Sequence, residues 1–369
     1  MIIKRFRAEN FRNIEKCDIE FSPGVNLLYG KNAQGKTNAM EGIYLFARGK
    51  SFRGRDDGEL VRFGAPGFRI YIEYEGELGK ETLEYALFGK ERQRKKNGYK
   101  INRITEMIGS FKAVLFYPDN LGLVKGGPEE RRSFLNIAAS ACYPAYIKYY
   151  SDYKKALENR NCILKMMQKG LYIDRRELDS WSSMLAEYAS HIFVFRNDYV
   201  KRLQGYARKV LSDISDSREE LSLEYESDIS SNITERVAVK AEYERILSEN
   251  LDREIAQGVT LFGPHREDIE IKINGKSARS FASQGQQRSI VLSMKLAEGE
   301  VIREICGEYP VFLFDDVLSE LDEKRREYVL SGKGERQIII TSCDRSECAG
   351  FTDNEIDVCG GEYVSSHRQ

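Results

Sequence analysis

The stretch "VNLLYGKNAQGKTNAMEGIYLFARG", residues 25–49, reads as an apolar run, a glycine-bounded loop and then a helix. Its residues 30–37, "GKNAQGKT", fill the pattern G-x-x-x-x-G-K-[ST] completely, with the flanking strand and helix that the pattern requires. Gly30 and Gly35 let backbone N–H groups approach phosphate oxygens, and the helix start adds its positive end. Lys31, Asn32, Ala33, Gln34 and Asn38 complete the expected lining. Lys36 is expected to bridge β- and γ-phosphates, and Thr37 to ligate Mg2+. ATP and Mg2+ are therefore the expected cofactors. Kinases, transporters, helicases and DNA clamps all use such a loop, so the rest of the chain must say what is done with the nucleotide.

A second stretch, "PVFLFDDVLSELD" (310–322), ends a buried strand in Asp315-Asp316, where open α/β sheets bind ligands. Asp315 is expected to hold Mg2+, and Asp316 to orient or deprotonate the attacking water; paired acids at a strand end can also be helix caps. In "FASQGQQRSIVLSMKLAEGEVI" (281–302), Ser283, Gln284, Gly285 and Gln286 open a helix whose face is Ile290, Met294, Ala297 and Val301. A serine, a glycine and free N–H groups there can bind an anion, or can be only a cap and turn.

The 369 residues suggest two domains. Apolar runs are too short for a membrane helix, and the seven scattered cysteines form no C-x-x-C pair, which points to reduced thiols in a cytoplasmic protein. A net charge of -1 means that any nucleic-acid contact must be local. Two basic stretches qualify: "RGKSFRGR" (48–55), with Arg48, Lys50, Arg53 and Arg55, and "GKERQRKKNGYK" (89–100), with Arg94, Lys95, Lys96 and Lys100. The second surrounds Asn97-Gly98, a type I′ hairpin signal, and a solvated charged turn is its plainer reading.

Strand patterns fill the chain up to residue 118, Pro128-Glu129-Glu130 opens a helix, and helical periodicity then dominates to about residue 256. Leu178, Trp181, Leu185, Tyr188, Ile192, Phe195, Tyr199, Leu203, Tyr206 and Val210 form a heptad-like seam. A shorter seam from Tyr146 to Met167 precedes it, interrupted by Arg160, with a break at Gly170. The pair predicts a short antiparallel helical hairpin, whose longer helix of some 40 residues would reach roughly 60 Å. Strands resume after residue 258, with a turn at Asn274-Gly275. The expected domains are thus one ATPase lobe from 1–122 and 258–369, and a helical lobe, 123–257, inserted between its halves.

The S-x-G-Q of residues 283–286 resembles the signature motif of ABC-type ATPases, and "SELD" (319–322) resembles their D-loop. Together with the amino-terminal "IKRFRAENFRNIEKCDIEF", these features resemble the SMC-type branch of that superfamily. Within it, "FYPDNLGLVKGGPEERRSFLN" (116–136), "LFGPHREDIEI" (261–271) and "SQGQQRS" (283–289) resemble the RecF family of recombination mediators. The resemblance implies an α/β ABC/SMC-type P-loop head with an inserted, mainly helical lobe and short arm, forming an ATP-dependent homodimer with two nucleotides between the heads. It further implies binding to duplex DNA, single-stranded DNA and single-strand/duplex junctions at gaps, with RecR and RecO as partners in RecA loading, recombinational repair and replication restart.

Family position makes Arg12 and Asn13 phosphate or base contacts, and gives Asn120 the rank of the Q-loop residue as a further Mg2+ ligand. The roles of Arg131, Arg132, His265 and Arg266 stay open. Two departures matter: Asp316 stands where transporter ATPases place Glu, and Thr341-Ser342 where they place His. They suggest slow, DNA-stimulated hydrolysis that serves as a switch. A motor-type ABC ATPase fits less well because the central insertion carries a heptad-like stub and the catalytic Glu is absent, and a structural SMC-like tether fits less well because the arm is short. A phosphotransferase would have no use for a signature motif acting in trans.

Overall fold

The computed structural model describes residues 1–54, 56–172, 174–332 and 334–366, so Arg55 lies outside the described residues. Two compact units divide the chain: Met1–Leu121, Val210–Ser217 and everything from Arg288 onward form the first, and Gly122–Lys209 with Arg218–Gln287 the second.

In chain order the first unit begins with β1 (Ile2–Phe11), β2 (Ile14–Glu20), β3 (Val25–Tyr29), α1 (Lys36–Arg48), β4 (Gly67–Gly76), β5 (Gly79–Phe88), β6 (Glu91–Lys96), β7 (Tyr99–Lys100) and β8 (Ala113–Phe116). The second contains α2 (Gly122–Lys125), α3 (Pro128–Cys142), α4 (Tyr146–Gln168), most of α5 (Arg175–Ile214), β9 (Leu221–Glu226), α6 (Arg236–Glu249), α7 (Leu251–Gln257), β10 (Asp268–Ile273), β11 (Lys276–Ser277) and α8 (Ala278–Phe281). The chain then returns to the first unit along α9 (Gln284–Cys306), β12 (Val311–Asp315), α10 (Glu323–Leu330), β13 (Ile338–Ser342), β14 (Asn354–Cys359) and β15 (Glu362–Ser366).

Two six-stranded sheets build the first unit. One is antiparallel, in the order β2-β1-β4-β5-β6-β7; the other has the order β15-β14-β3-β13-β12-β8, parallel except for the edge strand β15. β3, β12 and β13 are central, which is why their sequences are continuous apolar runs rather than alternations. Side chains of α1, including Ala39, Met40, Ile43 and Phe46, share one core with both sheets. The approach is close: a Cβ on Gly42 would stand 2.6 Å from the Phe6 ring. Each large apolar side chain buried there contributes about 1.5–3 kcal/mol, so the helix that begins at Lys36 is held by the core itself.

The second unit bears out the helical pair. Tyr149 stacks on His191 with ring centroids 3.7 Å apart, and Arg160 Nε donates to Ser182 Oγ at 2.9 Å, so α4 and α5 run antiparallel. Arg160, the break in the seam, is buried with its charge satisfied by Glu254 at 2.6 Å and by Thr260 at 2.7 Å. Helical periodicity concealed a strand: β9 lies inside the expected helical block and pairs with β10, giving the sheet β11-β10-β9. For that reason residues 218–287 cluster with the helical unit, and the chain returns to the ATPase unit at Arg288 rather than 258. A turn at Gly89, the pair β14–β15 and the assignment of 210–217 to the first unit also escaped the sequence reading.

Candidate nucleotide site

β3, β13 and β12 deliver their carboxyl ends side by side. From the first springs the P-loop, with Ala33 at φ 63 and Gly35 at φ 116, so successive N–H groups can converge on one anion. Gly30 has to be glycine, because a Cβ there would sit 2.2 Å from the Val358 carbonyl oxygen. The Lys36 ammonium donates to the carbonyls of Gly30 and Lys31 (3.0 Å to the latter) and to Cys343 Sγ at 3.3 Å. A cleft of about 370 Å³ is lined by Asn13, Asn32–Asn38, Arg53 and Asp316.

Asp315 closes the site from β12. Its Oδ1 accepts hydrogen bonds from Thr37 Oγ1 at 2.9 Å and Thr341 Oγ1 at 2.8 Å, and Thr341 Oγ1 in turn accepts the Asp316 N–H at 3.0 Å. Burial pushes the Asp315 carboxyl above the usual carboxylate range; the Thr341 and Thr37 hydroxyls and the Arg53 charge oppose this, and the neighbouring Asp316 adds to it. A threonine hydroxyl beside a buried carboxylate is hard-oxygen chemistry suited to Mg2+. Among the described residues no cluster of three His, Cys, Asp or Glu side chains could hold a metal. Asp316 sits at φ 53 on the cleft wall, anchored through its own N–H.

Several expected residues move. Arg53, read as a DNA contact, lines the same cleft, where its Nη1 donates to Asn38 Oδ1 at 3.0 Å. Asn38 Nδ2 donates to Asn13 Oδ1 at 2.7 Å, and Asn13 Nδ2 to the Ala33 carbonyl at 3.3 Å. Arg12 borders an adjoining hollow of about 470 Å³, but its guanidinium is engaged by Glu41 at 2.9 and 2.6 Å and by the Glu59 carbonyl at 2.8 Å. Asn120 does not line the cleft; its Oδ1 accepts the Tyr117 N–H at 3.0 Å and caps the turn after β8. Ser283 is exposed at the start of α9 and forms a capping box: its Oγ accepts the Gln286 N–H at 3.3 Å, and its own N–H donates to Gln286 Oε1 at 2.9 Å. Gln284 and Gly285 are exposed beside it.

The basic hairpin turns at Asn97 (φ 51) and Gly98 (φ 81) as expected, yet Lys95 pairs with Glu84 at 3.1 Å, Lys96 with Glu81 at 2.8 Å, and Arg94 lies over the Tyr85 ring. These partners sit on β5, ahead of the hairpin in sequence, and they compensate the lysine charges. Arg48 is half-buried against the Ser51 carbonyl, while Lys50 and Lys100 are exposed.

Sequence reasoning missed three groups at the loop. Cys343, just past β13, donates to Asn32 Oδ1 at 2.8 Å; the β14–β15 turn and Tyr363 bind the loop backbone; Ser51 helps hold Glu41. Only the reading of β13 as a core strand pointed toward Cys343.

The motifs whose roles stayed open join one another in the second unit. Arg131 forms a two-pronged pair with Asp268 at 2.8 and 2.7 Å, and Arg132 donates to the Glu267 carbonyl at 3.2 Å. Arg196 bridges the Asn136 side chain and the Pro264 carbonyl, both at 2.8 Å. His265 Nε2 lies 3.1 Å from the Thr260 carbonyl, so it carries the proton, and Nδ1 accepts the Tyr153 hydroxyl at 2.6 Å. Burial lowers this imidazole to about 4, with the Thr260 bond opposing and nearby arginines reinforcing the shift. Arg266 is exposed.

Fold and site together define a P-loop ATPase head of the ABC/SMC type. The family description "RecF/RecN/SMC N terminal domain" matches residues 2–359. The DNA replication and repair protein RecF of Staphylococcus carnosus is 40% identical over 336 residues, covering 90% of each chain, and that of Clostridioides difficile is 37% identical over 366 residues, covering 97% of this chain and 96% of the other. A solved structure described as the recombination mediator protein RecF-ATP in the RecFOR pathway superposes with a TM-score of 0.91 at 34% identity, covering 99% of this chain and 97% of that one. The chain belongs to the RecF family of DNA replication and repair proteins.

Proposed function

We propose that this chain is an ATP-dependent, DNA-binding recombination mediator. In this reading Mg-ATP joins two heads on duplex DNA or at single-strand/duplex junctions, and slow, DNA-stimulated hydrolysis releases them. The observation that carries it is the meeting of P-loop and acid strand, with Thr37 on Asp315 at 2.9 Å beside Asp316. Thr37 and Asp315 would hold Mg2+, which would neutralise charge on the phosphates. Lys36 and the loop N–H groups would bind those phosphates, Asn13 and Arg53 would line the nucleotide, and Asp316 would orient water.

The helix start at Ser283, with Ser283, Gln284 and Gly285 exposed, supports a second-subunit contact, since a capped, solvent-facing turn is open to a partner. DNA contact would be mainly to phosphates, with the exposed Lys50 and Lys100 as candidates away from the P-loop cleft, and would therefore depend on salt. RecR and RecO are the partners suggested by a relative described in the RecFOR pathway. A cytoplasmic site of action goes with that substrate; among the described residues no helix is long and apolar enough to cross a membrane.

Sedimentation velocity tests the central claim: wild-type chain dimerises with ATP and not without it, and Ser283→Arg stays monomeric. A wild-type monomer at saturating ATP would sink the reading. Turnover of many per second with DNA present would refute the slow-switch mechanism.

A further inference from the structure

We propose that the β14–β15 hairpin anchors the phosphate-binding loop, with Tyr363 a positioning residue for ATP. The inference rests on the nucleotide reading of the cleft. Three hydrogen bonds tie the hairpin to the loop. Gly361 N–H donates to the Gln34 carbonyl at 3.1 Å, Gly360 N–H donates to Gln34 Oε1, and the Tyr363 hydroxyl donates to the Gly35 carbonyl at 2.9 Å. That last carbonyl also accepts the Ala39 N–H at 3.0 Å, the first bond of α1.

A trans peptide is planar, so a carbonyl and the N–H that follows it point in opposite directions. Pinning the carbonyls of Gln34 and Gly35 to the hairpin therefore sends the N–H groups of Gly35 and Lys36 to the other side. Gln34, Gly35 and Lys36 are part of the cleft wall. The hairpin is a firm support because β14 is registered in parallel on β3, the strand that launches the loop, from Asn354 opposite Asn26 to Asp357 opposite Tyr29. Gly360 and Gly361, at φ 60 and 87, make the tight turn that brings both donors to the loop. The Tyr363 ring packs against the core, and burial raises its phenol well above the ordinary range, so the group stays a donor.

Donors fixed before the phosphates arrive need no reorganisation on binding. Loosening one pin should weaken ATP binding and leave the chemical step alone, because the Asp315–Thr341–Asp316 set bonds to other groups. The test is Tyr363→Phe, which keeps the ring and removes one hydroxyl, read by calorimetric ATP titration and by KM and kcat. Loss of one such hydrogen bond corresponds to about a 3- to 10-fold rise in Kd and KM. The expected result is that rise, with kcat within 2-fold and a nucleotide-free melting temperature lowered by roughly 2 to 4 °C, the loss of the same single bond. An unchanged KM overturns the inference, whatever the melting temperature does, and would make Tyr363 merely structural. If wild-type chain binds ATP and the variant binds equally well, only the anchor fails; if wild type binds none, the nucleotide reading fails and the anchor with it.

Discussion

Replacing Arg12 by alanine should destabilise the first unit rather than merely weaken a ligand. The Glu41 side chain is 0% exposed and the Arg12 side chain 20%, and the guanidinium meets both carboxylate oxygens at 2.6 and 2.9 Å. Removing the arginine leaves a buried carboxylate with Ser51 as its remaining hydrogen-bond partner. Breaking a fully buried pair costs about 3–5 kcal/mol, and the partial exposure of Arg12 brings the expectation to about 3 kcal/mol. For a unit of this size that is a fall in melting temperature of roughly 6 to 12 °C. Calorimetry without nucleotide on wild type, Arg12→Ala, Glu41→Gln and the double variant gives the coupling directly. Glu41→Gln in the Arg12→Ala background should recover part of the loss, because the stranded charge is gone. If Arg12→Ala instead leaves the nucleotide-free transition unchanged and only weakens ATP, Arg12 is a ligand and the pair is incidental.

Stability should fall as pH drops from 6.5 toward 4. His265 is held neutral when folded, at about 4, so unfolding takes up a proton in that window and removes about 3 kcal/mol that is fully present above pH 6.5. Denaturant titrations across that range should show this slope in wild type and a flatter one in His265→Gln; equal slopes would contradict it. Arg53→Ala should raise the KM for ATP several-fold while DNA affinity without nucleotide stays constant, and filter binding showing the reverse would return Arg53 to the DNA surface. Lys95→Glu with Lys96→Glu should shift DNA affinity by less than 2-fold, since both lysines already face Glu84 and Glu81. A change of about two in the salt slope would instead make them phosphate contacts. Lys36→Ala should weaken ATP by roughly 10- to 100-fold, the loss of a charged hydrogen-bond donor.

Local pattern was enough for the glycine-bounded loop and the helix after it, the strand ending in Asp315, the helix opening at Pro128, the turns at Asn97 and Asn274, and the long seam of α5. Each depends on residues a few positions apart, where spacing encodes geometry. Tertiary structure decided the rest. Arg12 meets Glu41, Arg131 meets Asp268, and Gly35 meets Tyr363, over separations of 29, 137 and 328 residues. No short-range periodicity carries such pairings. Arg53 and Lys95 are equally basic in sequence, and only tertiary packing puts one on the wall of the P-loop cleft and the other against a carboxylate. The sequence thus determined that a strand, a glycine-bounded loop and a helix would follow one another at residues 25–48, and which residues would form the loop. The fold decided what holds that loop in place, because a charge or a donor acquires its role from the neighbour that long-range packing supplies.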